Sequence, residues 1–218
     1  MQVKEKCVRF LELRGVLPRN KINAIPIQDN GETLVEIVET EKLRIARYAT
    51  KDYRCREKVY GMLKEVSNNL PAEFTLIFVE GFRSRERQQE LWNRALLKAK
   101  EMEPDAGQEE VERIARLFAA KPVGLGGGHQ TGGAIDVTLG DKNGNELFLG
   151  TKVQEFSEKT PMFARTISKK ECEFRDILLN AMVKAGFQNY PAEWWHYSYG
   201  DRLWAAYGKH TSAFYGPM

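Results

Sequence analysis

Apolar and polar positions along this chain fall into blocks of changing period, and the changes mark out its elements. Residues 4–14, with Val8, Leu11 and Leu13 as the apolar part, predict a short helix that Pro18 ends. Leu34-Val35-Glu36-Ile37-Val38 alternates imperfectly and reads as a strand. Over residues 53–69, Val59, Met62, Leu63 and Val66 recur three and four apart, as one face of a helix requires, and Pro71 stops the run. Phe74 to Val79 is apolar on both faces, the pattern of a central strand. Ser84 then offers an N-cap for a helix from Arg85 to about Lys100. A linker with Pro104 and Gly107 leads to an amphipathic helix from Glu109 to Ala120, whose apolar side is Val111, Ile114, Ala115, Leu117 and Phe118; its charges read as a solvated face.

The second half follows the same logic. Ala134 to Leu139 reads as a short strand, Gly140 to Asn145 as a strong turn, and Glu146 to Leu149 as the returning partner of a hairpin. Residues 150–168 have no clear period and predict a long loop of the kind that lines pockets. Lys170 to Ala185 is helical by the spacing of Phe174, Ile177, Leu178, Ala181 and Met182, with Gly186 as its stop. Glu193 to Tyr199 is rich in Trp and Tyr and reads as a strand, and residues 200–218 offer aromatics to pack on the core. The sum predicts an α+β fold with a central antiparallel sheet flanked by helices. A single domain spanning residues 1–218 would carry the helical region 85–120 as a peripheral insertion.

Composition narrows the classes. A chain of 218 residues with 42% hydrophobic and 29% charged residues is that of a soluble globular protein. Its net charge of +3, from 33 basic and 30 acidic residues, is too balanced for a nucleic-acid binder, and no basic stripe interleaved with aromatics is present. No apolar run approaches the ~20 residues of a membrane span. The first ten residues carry charges where a signal peptide has its apolar stretch, so a cytoplasmic location is expected, or a periplasmic one if a leader has been lost. Cys7, Cys55 and Cys172 are odd in number and show no CxxC spacing, so free thiols are expected.

The chemistry gathers around Gly126-Gly-Gly-His129-Gln-Thr-Gly-Gly-Ala-Ile-Asp136. Glycines between an imidazole and a carboxylate let the backbone fold back, because glycine reaches positive φ without a steric penalty. His129 and Asp136 can then meet at one point. A second imidazole comes from Glu193-Trp-Trp-His196. Two His and one carboxylate with an open fourth position are a typical set for catalytic zinc. The plainer alternatives are a phosphate cradle or a simple hairpin; the loop lacks the Gly-Lys-Ser/Thr ending of a nucleotide loop, and no helix pattern follows it. Glu193 and His196, three apart, would lie on opposite faces of a regular strand, so both can serve one site only if the chain bulges or twists there. Trp194 and Trp195 read as packing that fixes these two residues by burial more than as substrate contacts. Arg83 sits between the end of a buried strand and the start of a helix, where sites are commonly built.

His129-x-x-Gly132-x-Ala134-x-Asp136 followed by Glu193-x-x-His196, together with Gly81-Phe82-Arg83, resembles the M15 zinc peptidases, in particular their D-alanyl-D-alanine dipeptidases of the vancomycin-resistance type. The likeness runs from about residue 50 to 200 in the same order. It implies a Hedgehog/DD-peptidase-like fold with zinc on one face of the sheet, bound by His129, Asp136 and His196. It implies further that Glu193 is the general base and acid, that Arg83 stabilises the oxyanion, and that the substrate is a small D-Ala-containing peptide, D-Ala-D-Ala, cleaved through a metal-activated water. Two positions depart from the family pattern. Gly127 stands where the family has Ser, and Gln154 stands where it has an acidic residue that helps read a free ammonium, with Glu155 or Asp141 as possible substitutes. The alternatives are a D,D-carboxypeptidase or endopeptidase acting on peptidoglycan stems, and a non-catalytic zinc-binding module, against which Glu193 and Arg83 argue.

Overall fold

The computed structural model describes residues 15–48, 50, 52–116, 118–119, 121–122 and 127–218. The helix expected over residues 4–14 lies outside them. The long apolar run becomes the strand β4 (Phe74–Glu80), buried from Thr75 onward, and the run after the glycine loop becomes β5 (Ala134–Asp141). These two pair antiparallel at the heart of a five-stranded sheet, order β2-β4-β5-β7-β6, with β2 (Leu43–Ile45), β6 (Gln188–Asn189) and β7 (His196–Ser198). The α+β architecture is as expected. The sheet is antiparallel except at one edge, where β2 runs parallel to β4.

A two-stranded sheet of β1 (Leu34–Glu36) and β3 (Arg54–Arg56) stands beside it. This pairing shortens a predicted helix. Arg54–Arg56 bond to β1, so α2 (Glu57–Asn69) starts four residues later than the apolar spacing suggested. The Glu146–Leu149 segment forms a single bridge, Gly140 to Glu146, instead of a hairpin strand. Asp141 explains this: its carboxylate accepts from Asn143 N, Asn145 N and Asn145 Nδ2, which turns the chain away from the sheet.

Strand alternation sorts side chains to the two faces. Ile135, Val137, Leu139 and Tyr197 join one core with Val59, Met62, Leu63 and Val66 of α2 and with Leu178 and Met182 of α5 (Lys169–Lys184). Asp136 and His196 therefore face the other way. Ser84 caps α3 (Arg85–Met102) by accepting from Arg87 N at 3.2 Å. α3 and α4 (Gln108–Ala115) share a second apolar cluster of Trp92, Ala95, Ala99, Val111, Ile114 and Ala115. The short helices α1 (Arg19–Asn23) and α6 (Arg202–Gly208) complete the described set. Among residues 200–218, Tyr215 is fully buried and packs on the main core. Cys55 and Cys172 are free, and no helix among the described residues is long and apolar enough to cross a membrane.

The 150–168 segment has no regular structure but is fixed in place. Arg175, buried in α5, donates to Leu149 O at 2.7 Å, Pro161 O at 2.7 Å and Lys159 O at 2.8 Å. Burial pushes its guanidinium down to about 10. Arg175→Met should leave these buried carbonyls unsatisfied, at about 1–3 kcal/mol each, and lower the urea unfolding midpoint well beyond a surface substitution such as Lys169→Ala.

Candidate active site

Three adjacent strands set out the site. In the β5–β7 register Asp136 stands opposite His196, and in the β4–β5 register Glu80 stands opposite Asp136. The second alignment depends on a bulge. Phe78 pairs with Val137, so an unbroken ladder would put Val79 opposite Asp136; the register shift between Phe78 and Glu80 puts the glutamate there. The result is a buried row, Glu80, Asp136 and His196, each at most 6% exposed.

His129 arrives from the loop. Gly128–Thr131 form one 3-10 turn, and His129 Nδ1 lies 2.8 Å from Gly81 O, which directs Nε2 toward Asp136 Oδ1 at 3.3 Å. The turn fits a narrow space: a Cβ on Gly128 would lie 2.3 Å from Asp201 Oδ2 and 2.8 Å from Ala134 Cβ. His196 offers Nδ1 to the same Asp136 oxygen at 3.1 Å. The two imidazoles meet edge to face with centroids 4.8 Å apart. One donor atom from each of His129, Asp136 and His196 lies within 4.8 Å of the others, close enough to share an ion. The remaining histidine, His210, is stacked on Trp204 at 3.8 Å, in the 200–218 segment.

Glu193 stands beside this trio. Its Oε2 is 3.9 Å from His196 Nδ1. The expected strand at 193–199 is shorter than the aromatic content suggested: β7 begins at His196, and Glu193 belongs to a turn closed by Glu193 N to Tyr190 O and His196 N to Glu193 O. That turn answers the parity problem. Glu193 precedes the regular strand, so both side chains reach one cavity. Trp194 and Trp195 are each 1% exposed: Trp194 donates to Thr151 Oγ1 at 2.8 Å, while Trp195 lines the cavity.

Arg83 reaches the site through Glu80, which the sequence reading did not single out. Arg83 Nε and Nη2 fork onto the Glu80 carboxylate at 3.0 and 2.5 Å, and Nη1 donates to Gln88 at 3.1 Å. Gln154 has a left-handed backbone, φ 64°, and its Nε2 donates to Glu80 Oε2 at 2.6 Å and to Asp136 Oδ2 at 3.1 Å. It thereby occupies the Asp136 oxygen that faces away from the imidazoles. Glu155 accepts from Lys152 N, Asp141 holds its own turn, and neither lines the cavity.

Burial favours the neutral form of the Asp136 carboxyl, but His129 and His196 more than offset it and hold the group well below the usual carboxylate range. Burial pushes Glu193 upward, and the Asp136 charge adds to this against the pull of His196, His129 and Arg83. A divalent cation placed between the Asp136 carboxylate and the two imidazoles would satisfy the same three groups. The donor set of two nitrogens and one oxygen suits zinc.

Residues 49–215 match the family model described as Peptidase_M15, D-ala-D-ala dipeptidase. The chain belongs to the M15 peptidase family. This M15 peptidase is 28% identical over 217 residues to a D-alanyl-D-alanine dipeptidase of Synechocystis sp., covering 84% of this chain and 87% of the relative. It is 37% identical over 76 residues to the D-alanyl-D-alanine dipeptidase of Escherichia coli, covering 34% of this chain and 39% of the relative. A superposition on VanYB in complex with D-alanine-D-alanine covers 82% of this chain and 84% of the other, at 15% identity and a TM-score of 0.47.

Gly128→Ala tests the fit of the His129 turn. The added methyl must displace Asp201 or Ala134, so the variant should lose about 1–3 kcal/mol of stability, read as a lower Tm, whereas Gly61→Ala on open helix surface should gain a little.

Proposed function

We propose that this M15 peptidase is a zinc-dependent D,D-dipeptidase that hydrolyses D-Ala-D-Ala, with His129, Asp136 and His196 as the metal ligands. The observation that carries the reading is the convergence of those three donors within 4.8 Å beside a carboxylate and a guanidinium that are not among the three. A zinc ion held there supplies a Lewis acid and brings the pKa of a water toward about 7. Asp136 presents one oxygen to the imidazoles while Gln154 engages the other, which favours a single-oxygen ligand. Glu193 takes a proton from the attacking water and returns it to the leaving amine; its raised proton affinity suits a group that must do both. Arg83, held in one orientation by Glu80, places positive charge where the tetrahedral oxygen develops. A structural metal site needs neither Glu193 nor Arg83, which argues against a non-catalytic module.

A second reading, a D,D-carboxypeptidase or endopeptidase on longer stem peptides, is favoured by Gln154. An amide that already donates to two buried carboxylates pairs poorly with a substrate ammonium, so a free N-terminus gains little at this position.

Removal of metal with a chelator should abolish D-Ala release from D-Ala-D-Ala, and added Zn2+ should restore it. Bound zinc, measured by elemental analysis, should fall from about one per chain to near none in His129→Ala. Glu193→Ala should keep its zinc and lose roughly 100- to 10,000-fold in kcat. If that variant turns over dipeptide and N-acylated stem peptides as fast as the wild type, the assignment is wrong.

A further inference from the structure

The cavity that holds the metal residues has a volume of about 460 Å³, and besides Arg19, Arg83 and Arg202 it carries a group of cations along one wall. The carboxylates that line it are Asp136, Glu193 and Asp201. All three belong to the metal end, since Asp201 accepts from Ser198, whose Oγ contacts His196. The outer wall is cationic. On α3, Leu91, Arg94, Ala95 and Lys98 form a single helical stripe facing the cavity, and Arg116 joins them from the end of α4.

Arg116 pairs with Glu112 at 3.5 Å and lies over the Trp92 ring, but Arg94 and Lys98 are not consumed by ion pairs. Among the described residues Arg94 makes no ion pair and no hydrogen bond, and Lys98 makes only a cation–π contact, 4.4 Å from the Phe118 ring. The nearby acids are already engaged: Glu90 by Arg87 at 2.9 Å, and Glu112 by Lys121 at 2.9 Å and Arg116 at 3.5 Å. The wall is also tied to the catalytic side. Phe118 meets Phe156 edge to face at 5.9 Å, and Phe156 meets Trp195 at 5.8 Å.

The helix supplies a ruler. Gln88, one turn into α3, touches Arg83 at the metal end. At about 1.5 Å of rise per residue, Arg94 lies about 9 Å and Lys98 about 15 Å farther along the helix axis. An extended peptide covers about 3.3–3.6 Å per residue, so these cations stand about three to four residues from that end. A substrate ending in D-Ala-D-Ala has one residue beyond the scissile bond, so it can extend only from its N-terminal side.

We propose that Arg94, Lys98 and Arg116 form a subsite for the carboxylates of an acidic peptide that carries D-Ala-D-Ala at its C-terminus. The proposal rests on the hydrolase reading of the metal end, in its stem-peptide form. Two probes separate charge from size: N-acetyl-Glu-Glu-Ala-D-Ala-D-Ala and its Gln-Gln isostere, with free D-Ala-D-Ala as reference. The wild type should favour the Glu peptide over the Gln peptide by about five- to tenfold in kcat/KM at low salt, the sum of two or three half-exposed charge contacts. High salt should erase the preference. Arg94→Gln/Lys98→Gln should abolish it while leaving free D-Ala-D-Ala turnover unchanged. Equal rates for the two peptides in the wild type, or a preference that survives in the double variant, would overturn the subsite. If neither peptide nor dipeptide is cleaved, the hydrolase reading has failed, and calorimetric binding of the same two peptides to wild type and double variant still decides the wall: tighter binding of the Glu peptide by the wild type alone supports it, and equal binding refutes it.

Discussion

One buried carboxylate organises this molecule. Asp136 sits on the middle strand of the five-stranded sheet, with imidazoles from a loop and from a neighbouring strand drawn to the same oxygen and an amide on the other. A charge at that depth is tolerated because both of its oxygens have partners. The sheet registers, the 3-10 turn and the Gln154 backbone each serve that condition. β5 is buried on both sides: the Asp136 face serves the site, and the Ile135, Val137 and Leu139 face carries the fold.

Glu80 and Arg83 repeat the principle one strand over. A glutamate at 2% exposure next to Asp136 would set two like charges side by side, but Arg83 forks onto both of its oxygens and Gln154 adds a second donor to Oε2. The guanidinium is held by its own partner, not by solvent, so its direction does not depend on a substrate arriving. The cost is a pair of ions withdrawn from water, an arrangement that contributes orientation more than stability.

Much of this was legible from residue types. The glycine loop with its imidazole, the Ile-Asp-Val alternation and the Glu-Trp-Trp-His run point to His129, Asp136 and His196 as one set among plainer alternatives, and the structure brings the three together; Glu193 is singled out through the family resemblance. The Ser84 cap, the central strand and the Gly186 stop, with φ 103°, carry strong local signals. Glu80 was hidden, since a glutamate closing an apolar run looks like a strand reaching solvent. The bulge that turns it inward has no residue signature, because it follows from pairing with a strand more than fifty residues away. The same is true of Arg54–Arg56, whose pairing with residues 34–36 overrides the helical period, and of Glu193, which an aromatic-rich run disguised as strand when it lies in a turn.

Arg56 links parts of the chain that are far apart in order. Its buried guanidinium donates to Thr131 O beside the metal turn, to Glu32 O, to Asp29 and to Gly216 O, and Met218 N bonds Gln130 O. The turn that carries His129 therefore settles only when segments distant in sequence have come together, so its order belongs to the whole domain and not to the glycine loop alone.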